Sequence, residues 1–421
     1  MLRRRVEREL LEAHREGGYV FPAYDDYCFA NVPETALSVL DSSFDRRLPD
    51  DAFAGVERGD AENVVVLLVD GFGYEHWKRE RDAHPLLSTL TERGAVTPLT
   101  SVYPSETAAA ITTVHTGRTP VEHGLLGWFQ RYREFDGVVQ TLPFASLDDV
   151  PAEEAFGESA DPDLLFEGEP LYRRAEDAGI DTYAAQPAGS LDSDYSRATV
   201  GDAEPLPYRN VAEMGLRVRE ALEAADGPSY VYAYVPTIDS VSHAAGTESE
   251  AYRTQLAMVT ECVRREMIEK LDPAVAEETL LLVTADHGHV DTSDNVDVGE
   301  FGPIRDALRR DADGEPIPPV GSPRNLQLHL RPGTVERVAN AVEASFDART
   351  FTREEALSRN LFGPGAPSER FERQCPDLVV VHREKGMWWD RSELDLVGMH
   401  GGLAREEMLV PFAAARAADL R

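Results

Sequence analysis

One aliphatic segment constrains the fold more than any other part of the chain: Asn63–Val69, with the sequence NVVVLLV, which runs directly into Asp70 and Gly71. A continuous apolar run that begins with β-branched residues is typical of a strand buried on both faces of a sheet. Similar runs occur at Tyr230–Val235 and Glu278–Val283, and helical patterns separate them. This alternation predicts an α/β fold with a mostly parallel sheet.

Potential metal ligands follow the ends of these three strands. Ligands in open α/β sheets bind beyond the carboxyl ends of the strands, where Asp70 is predicted to lie. Asp239 and His243 are four residues apart, so a helical turn would place both side chains on one face. Asp286 and His287 are adjacent, and both can reach one ion only if the strand has ended before them.

Two more histidines lie beside glycines. Gly288 permits a bend after the strand, and we interpret His289 as a structural residue or a support for a ligand. His400 lies within Gly398–Gly402. A single Asp or His beside glycine is more often structural. Together, however, three carboxylates and three imidazoles suit two divalent ions about 4 Å apart. The six candidate ligands are Asp70, Asp239, His243, Asp286, His287 and His400.

A hydroxyl group is predicted at the start of a helix in the segment Pro104–Gly117, PSETAAAITTVHTG. Its small residues favour a helix that ends at Gly117, with Thr107 in the first turn. The unpaired N–H groups and the dipole at that end attract a phosphate-sized anion. Thr107 is therefore a candidate nucleophile that needs a base or a metal, although Ser105 would serve equally well as a cap.

The composition excludes some classes of partner. The formal net charge is −34, from 76 acidic and 42 basic residues among 421, and only three of the basic residues are lysines. This pattern resembles proteins of a high-salt cytoplasm, where concentrated cations screen the repulsion. It also argues against stable binding to nucleic acid, which needs clustered Lys and Arg.

The sequence predicts neither a targeting signal nor a disulfide framework. The N-terminal MLRRRVERELLEAHREGG has the charges of a signal peptide without its apolar region, and no apolar run approaches the ~20 residues that span a membrane. Cys28, Cys262 and Cys375 lie far apart and predict neither a disulfide framework nor a thiolate metal site. We therefore predict a cytoplasmic protein without a membrane partner.

The character of the chain changes between Phe301 and Glu372, where Pro and Gly increase and a small α+β insertion over the core is predicted. Within it, QLHLR at 327–331 is predicted to be an exposed strand and Val335–Phe346 an amphipathic helix. We predict a catalytic core at residues 1–300, an inserted cap at 301–372 and a return to the core at 373–421.

Two further elements flank this insertion. A hairpin that turns at Asp136 and Gly137 is predicted in the segment that begins at Trp128, WFQRYREFDGVVQTLPF. The run DLVVV at 377–381 is predicted to return to the main sheet.

The order of the motifs resembles the alkaline phosphatase superfamily, and most of all its nucleotide pyrophosphatase/phosphodiesterase family. The matching segments are VDGFG at Asp70, YPSETAAAITTVHTGRTPVEHG around Thr107, the pair of Asp239 and His243, TADHG at Asp286 and His287, and MHGG at His400. The resemblance extends from residue 64 to residue 412. It implies an alkaline phosphatase-like, three-layer α/β/α sandwich around a mostly parallel central sheet, with a small α+β inserted cap.

The resemblance also implies a role for each residue. Asp239, His243 and His400 would bind one divalent ion, and Asp70, Asp286 and His287 would bind a second. Thr107 matches the nucleophile, because its interval to Thr116 and Gly117 agrees with that of the family, and its attack on phosphorus would give a phosphothreonine intermediate. The ligand set with two imidazoles favours zinc, and the more oxygen-rich set would also accept manganese.

One position departs from the family. An asparagine that helps to hold a phosphate oxygen is replaced here by Trp128, which offers only an indole N–H, and Arg118, Arg131 and Arg133 lie nearby in sequence. The expected function is a two-metal phosphodiesterase or nucleotide pyrophosphatase that acts on a small-molecule phosphoric ester. A phosphomonoesterase, a phosphonate hydrolase and a non-catalytic binding module are the alternatives. A sulfatase is disfavoured, because the nucleophile segment lacks Cys/Ser-x-Pro-x-Arg. The oligomeric state stays open.

Overall fold

The computed structural model describes residues 1–45, 48–292, 295–383, 386–388 and 394–421. The strands of its two large sheets, numbered in chain order, are β1 Asn63–Val69, β2 Ala95–Thr100, β3 Phe129–Tyr132, β4 Gly137–Gln140, β5 Ala145–Ser146, β6 Asp181–Pro187, β7 Glu204–Tyr208, β8 Ser229–Val235, β9 Thr279–Thr284, β10 Val320–Ser322, β11 Asn325–Leu328, β12 Ala348–Thr352, β13 Leu378–His382 and β14 Leu409–Arg416. Short ladders pair Arg15–Glu16 with Tyr19–Val20, Val290–Asp291 with Gly398–Met399, and Val296–Asp297 with Met387–Trp388.

The α-helices of the same ranges are α1 Arg4–His14, α2 Val32–Leu40, α3 Tyr74–Glu80, α4 Pro85–Arg93, α5 Thr107–Thr116, α6 Pro120–His123, α7 Ala152–Phe156, α8 Leu171–Asp177, α9 Asp194–Val200, α10 Val211–Ala224, α11 Thr237–Ala245, α12 Glu250–Cys262, α13 Pro273–Glu278, α14 Gly302–Arg305, α15 Val335–Ser345, α16 Arg353–Ser358, α17 Glu369–Gln374 and α18 Arg405–Met408. A π-helix, Val263–Glu269, continues α12. None of the helices described combines the length and the apolar character that crossing a lipid bilayer requires.

The central sheet has the strand order β2-β14-β9-β1-β8-β6-β7. Its neighbours pair in parallel, except that β14 runs antiparallel to both β9 and β2. All residues of β1 are buried, so both faces of the sheet are covered. This arrangement confirms the predicted three-layer α/β/α fold with a mostly parallel sheet.

The central position of β1 determines where the candidate ligands lie. Val69 at its end is paired with Val235 of β8, and Leu68 is paired with Thr284 of β9. The three carboxyl ends therefore meet at one edge of the sheet. Because α11 begins directly after β8, the chain segments that follow β1, β8 and β9 converge at that edge.

The second sheet has the order β12-β13-β11-β10-β3-β4-β5. One face carries Tyr132, Val139 and Val379 into the main hydrophobic core. The opposite face carries Leu326 and Val380 into a smaller core that α15 and nearby segments complete. Two adjacent apolar cores thus share this sheet.

Two predictions about this sheet are wrong. The segment 377–381 does not return to the main sheet, because β13 pairs with β11 and β12. The segment 327–331 is not an exposed strand, because every residue of β11 is buried and Gln327 donates a hydrogen bond to the Leu126 carbonyl at 2.6 Å. A buried polar residue with a partner gives the same alternating pattern as an exposed one.

Other local predictions are confirmed. The hairpin turns at Asp136, which has a φ of 50°, and Gly137 begins β4. The predicted helix at 335–346 corresponds to α15. The division at residues 300 and 372 stays a prediction, and the strand pairing adds β3–β5 and β13 to the sheet that contains the strands of the predicted cap.

Candidate metal-dependent active site

Thr107 is the first residue of α5, and its hydroxyl faces the strand ends. Its Oγ1 lies 3.1 Å from His287 Nε2 and 3.5 Å from Asp70 Oδ1. Ser105, the alternative hydroxyl, donates to the Gly402 carbonyl at 2.7 Å. The geometry therefore favours Thr107 as the hydroxyl that can reach a bound ion or substrate.

The local sequence explains why α5 can lie so deep in the protein. Ala108, Ala109 and Ala110 are fully buried, and their small side chains allow close packing. The helix ends at Gly117, whose φ of 66° lies in the left-handed region that glycine adopts without strain.

The first group of ligands, here called the Asp70 cluster, consists of Asp70, Asp286 and His287. His287 Nε2 lies 3.3 Å from Asp70 Oδ1 and 3.4 Å from Asp286 Oδ2. Ligand atoms bonded at about 2.0–2.2 Å to a tetrahedral ion lie roughly 3.3–3.5 Å from one another. The spacing of these atoms therefore suits one divalent ion, with the Thr107 hydroxyl beside it.

The second group, here called the Asp239 cluster, consists of Asp239, His243, His289 and His400. Asp239 Oδ1 lies 3.3 Å from His243 Nε2 and 3.5 Å from His400 Nε2, which again suits two ligands of one ion. His289 Nε2 lies 2.9 Å from the same oxygen, a hydrogen-bond distance. His289 thus contacts Asp239, as a support for a ligand would.

The two clusters adjoin each other. The rings of His287 and His400 are stacked with their centroids 3.6 Å apart. Ligand atoms of Asp239, His287, His289 and His400 all lie within 4.8 Å of one another, and so do those of the Asp70 cluster. The fold therefore brings all six predicted ligands together, while their roles stay a prediction.

Backbone carbonyls fix the orientation of three imidazoles. The Nδ1 atoms of His243, His287 and His400 contact the carbonyls of Gly398, Gly288 and Ser105 at 2.7, 3.1 and 3.2 Å. A carbonyl only accepts, so each Nδ1 carries a hydrogen and each Nε2 is the nitrogen that faces the site. With Nδ1 held in this way, Nε2 is the atom of each imidazole that could bind a metal ion.

The carboxylates are oriented in the same way. Asp70 Oδ2 accepts a hydrogen bond from the Tyr234 hydroxyl. Asp286 Oδ1 accepts from the N–H groups of Gly71 and His287 at 3.2 and 3.0 Å. Asp286 Oδ2 is buried and has no hydrogen-bond donor among the described residues. A cation would satisfy this oxygen, so the residues present fit a metal ion.

Burial sets the electrostatics of the site. It raises the pKa of Asp70 and that of Asp286 well above the usual range, and neighbouring carboxylates raise both further. Burial also raises the pKa of Asp239, but His243 and His289 outweigh it and hold that pKa well below the usual range. Buried carboxylates that repel one another in this way favour bound cations.

Close backbone packing explains the glycines of these motifs. A Cβ at Gly288 would lie 2.0 Å from the Glu406 carbonyl oxygen, and one at Gly73 would lie 2.7 Å from Gly288 Cα. Strand β9 ends at Thr284, so Asp286 and His287 can both face the site. Gly288 is needed for this close approach rather than for a left-handed bend.

A cavity of about 240 Å³ opens over Thr107 and the Asp239 cluster. Its described lining is Glu106, Thr107, Trp128, Phe129, Asp239, His243, Ser322, Pro323, Leu396, Met399 and His400. Trp128, which stands at the position of the asparagine of the family, is one of these lining residues. Its backbone N–H donates to Glu106 Oε1, and Arg131 pairs with Asp136. Arg118, Arg131 and Arg133 are not among the lining residues described.

Sequence reasoning missed Tyr234, Glu106 and Ser322. Tyr234 lies near the end of β8, within an aromatic run that gave no sign of its bond to Asp70. Burial raises the pKa of Glu106 to about 7, against the lowering effect of the Trp128 N–H. The position of Glu106 directly before Thr107 was the one available signal.

A mostly parallel sheet, two adjoining clusters of candidate metal ligands at its carboxyl edge and a hydroxyl at a helix start define this protein as an alkaline phosphatase-like hydrolase. The chain belongs to the type I phosphodiesterase/nucleotide pyrophosphatase family, whose sequence profile matches residues 64–403. The predicted family is thereby confirmed.

A curated relative is an uncharacterized pyrophosphatase/phosphodiesterase of Schizosaccharomyces pombe, 27% identical over 237 residues. The alignment covers 55% of this chain and 46% of that protein. The chain therefore spans about half the length of the curated relative that it matches.

Solved structures share the fold. Murine ectonucleotide pyrophosphatase/phosphodiesterase 5 has a TM-score of 0.63 and 19% identity, over 84% of this chain and 87% of that one. An inactive threonine-to-alanine variant of it in complex with AMP has a TM-score of 0.61, 18% identity and the same coverage. Phosphonoacetate hydrolase from Sinorhizobium meliloti 1021, in complex with phosphonoformate, has a TM-score of 0.57 and 19% identity over 85% and 93%.

Proposed function

We propose that this protein is a metal-dependent phosphodiesterase of the nucleotide pyrophosphatase type, with Thr107 as its nucleophile. The observation that carries the proposal is the position of the Thr107 hydroxyl, 3.5 Å or less from ligand atoms of the Asp70 cluster. The cavity over Thr107 also reaches the Asp239 cluster, so a phosphoryl group placed there would contact both groups of residues.

Two divalent ions would be held by Asp70, Asp286 and His287 and by Asp239, His243 and His400. Bound there, they would supply Lewis-acid neutralisation of the phosphoryl charge and lower the pKa of a hydroxyl or a water. The imidazole-rich set favours zinc, and the carboxylate-rich set would also accept manganese.

The residues of the chain perform the rest of the reaction. The Thr107 oxygen attacks phosphorus in line as its hydroxyl proton passes to solvent water, and the bond from phosphorus to the ester oxygen breaks, so that the leaving group departs as an alkoxide or phenoxide that takes up a proton from solvent. The N–H groups at the start of α5 stabilise the phosphoryl oxygens. A water then attacks the phosphothreonine from the side that the leaving group vacated, and the Thr107 hydroxyl is restored.

The cellular setting is also a proposal. A charge of −34 supports a high-salt cytoplasm, because concentrated cations would screen the repulsion. The partner we propose is a small phosphoric ester, with a nucleotide among the candidates, as the AMP complex of the murine protein suggests for its own site.

A phosphonate hydrolase is the second candidate. The specific observation in its favour is the fold shared with phosphonoacetate hydrolase. The loss of the asparagine at Trp128 leaves a phosphomonoesterase as a further alternative.

Replacement of Thr107 by Ala tests the mechanism. We expect Thr107→Ala to lower kcat for p-nitrophenyl diesters by at least about a thousandfold, while elemental analysis still finds two metal ions per chain. Thr254→Ala, on the exposed surface of α12, is the matched control. Substantial turnover by Thr107→Ala would contradict the nucleophile, and full activity after exhaustive chelation would contradict the metal mechanism.

A further inference from the structure

We infer that Glu106 and Ser322 form a substrate subsite beside Thr107. The subsite accepts a hydrogen bond from an N–H group on the ester substituent of the substrate and disfavours a carboxylate in the same place. This inference rests on the proposed function and names the kind of diester that the cavity selects.

Glu106 has no structural role that accounts for both of its oxygens. It occupies the position before α5, but its side chain makes no hydrogen bond to that helix. It is only 1% exposed. Its Oε1 accepts from the Trp128 N–H, whereas its Oε2 has no hydrogen-bond partner in the described ranges. Burial raises the pKa of Glu106, and the side chains of Asn325 and Ser322 lie close enough to counteract this in part, but Oε2 has no partner at hydrogen-bond geometry among the described residues. A buried carboxyl oxygen without a donor is unfavourable, so an N–H donor from a bound substrate would satisfy it.

Ser322 contributes a second buried polar atom without a hydrogen-bond partner, and it lines the same cavity as Glu106. Its Oγ is buried and has no partner among the residues described. A Cβ at Gly127 would lie 3.3 Å from Glu106 Oε2 and 2.7 Å from Gly321 Cα. The free carboxyl oxygen of Glu106 therefore lies where Gly127 packs against the residue before Ser322.

The cavity gives this subsite its selectivity. Glu106 and Ser322 line it together with Thr107, and Trp128 and Phe129 contribute aromatic rings. No Lys or Arg occurs among its described lining residues. An N–H donor would find a carboxyl acceptor there, beside two aromatic residues. Above about pH 7, where Glu106 is ionised, a carboxylate would meet repulsion from Glu106 and no cationic side chain among the described lining residues.

The donor can come from two sources that share this chemistry. An alkylammonium group and the exocyclic amine of a nucleobase both present N–H groups to an acceptor. The two sources differ in charge and in size, so matched substrates separate them.

The first experiment compares kcat/KM for substrates that differ only in the donor. One pair is the p-nitrophenyl 2-aminoethyl and p-nitrophenyl propyl diesters of phosphate. The other is the p-nitrophenyl esters of adenosine and purine riboside 5′-monophosphates. We expect the donor-bearing member of at least one pair to be preferred about tenfold or more, the usual effect of a charge-assisted hydrogen bond. The pair that shows the preference identifies the source.

Two variants tie the preference to the subsite. In Glu106→Gln, the amide carbonyl can keep the bond to the Trp128 N–H and turn its NH₂ toward the ester, so the preference should fall to about one. Ser322→Ala should lower it partly and serves if Glu106→Gln does not fold. Glu154→Gln, exposed on α7, is the matched control and should keep the full preference. Metal content is measured for each variant.

The results distinguish the subsite from the proposed function. Equal kcat/KM within both pairs, or a preference that Glu106→Gln and Ser322→Ala both retain, would overturn the subsite while leaving the diesterase proposal intact. Absence of turnover with every diester would overturn the proposed function. In that case, calorimetry tests the subsite by the binding of three phosphonates. Tighter binding of 2-aminoethylphosphonate than of propylphosphonate and phosphonoacetate supports the subsite, and the reverse order overturns it.

Discussion

At the scale of single residues, Asp70 shows how the site depends on side chains outside the ligand set. Its Oδ1 faces Thr107 and His287, while Oδ2 accepts the hydroxyl of Tyr234. That hydrogen bond fixes the carboxylate so that Oδ1 stays directed at Thr107 and His287. Partners of this kind typically contribute tenfold to hundredfold in metal affinity.

Replacement of Tyr234 by Phe removes only this hydroxyl. We expect Tyr234→Phe to weaken zinc binding to one of the two sites by about tenfold, because the carboxylate of Asp70 becomes free to rotate. Competition with a chromophoric chelator measures the affinity of both sites. Tyr183→Phe, on the partly exposed part of β6, is the control, and equal affinities in the two variants would contradict the role of Tyr234.

The candidate ligands could be predicted from the sequence, but the residues that hydrogen-bond to them could not. Asp70, Asp239 and Asp286 follow strands that the aliphatic pattern reveals, and carboxylates at strand ends have a known use. Tyr234 lies 164 residues from Asp70 in the chain, and only the pairing of β8 with β1 brings them together. Local patterns carry no information about such pairing.

At the scale of elements, α5 combines the proposed nucleophile with a buried ionisable group. His115 is fully buried near the end of this helix, and its Nδ1 lies 2.8 Å from the Tyr172 hydroxyl of α8. Burial lowers the pKa of His115 to about 3. The helix therefore depends on a histidine that must stay neutral.

Acidification should destabilise the protein through this residue. The folded pKa of about 3 lies below the unfolded value of about 6.5, so the unfolded chain binds the proton more tightly. The contribution is complete above about pH 6.5 and is lost as the pH falls toward 3. We expect wild type to lose about 2 kcal/mol more unfolding free energy than His115→Gln between pH 7 and pH 5. Urea unfolding with a chelator at constant KCl measures the difference, and equal losses would contradict it.

The strands divide into those that local sequence can place and those that it cannot. The observed bounds of β1 agree with the predicted ones, and those of β8 and β9 agree within a residue. Long apolar runs between helices predict buried strands without a competing interpretation. β13 is as apolar as they are, yet it belongs to the second sheet. Its residues face two different cores, Val379 one and Val380 the other, so burial on both faces does not identify the sheet.

At the scale of the whole molecule, a buried ion pair connects the second sheet to the loop that carries the candidate ligand His400. Arg324 lies between β10 and β11, and it donates to both oxygens of Glu407 at 2.7 Å. Both side chains are fully buried. Glu407 also accepts from the N–H groups of Gly402 and Ala404 at 3.0 and 3.1 Å, in the loop that follows His400.

Loss of one partner should therefore affect both stability and metal binding. Arg324→Met leaves the Glu407 carboxylate buried without its cation, which typically costs about 3–5 kcal/mol of unfolding free energy. The exposed pair of Arg217 and Glu220, with exposed side-chain fractions of 47% and 50%, provides the control. Arg217→Met should cost less than about 1 kcal/mol. Equal unfolding free energies in the two variants would contradict the structural role of the pair.

The second effect separates the linkage from stability alone. Because Glu407 holds the N–H of Gly402, two residues after His400, its displacement should loosen the His400 imidazole and weaken zinc binding at the Asp239 cluster more than at the Asp70 cluster. Measured well below the unfolding temperature, Arg324→Met should lower the affinity of one site several-fold and leave the other within about twofold. A uniform loss at both sites would mean that the pair stabilises the fold without positioning His400, because general loosening does not distinguish between the two clusters.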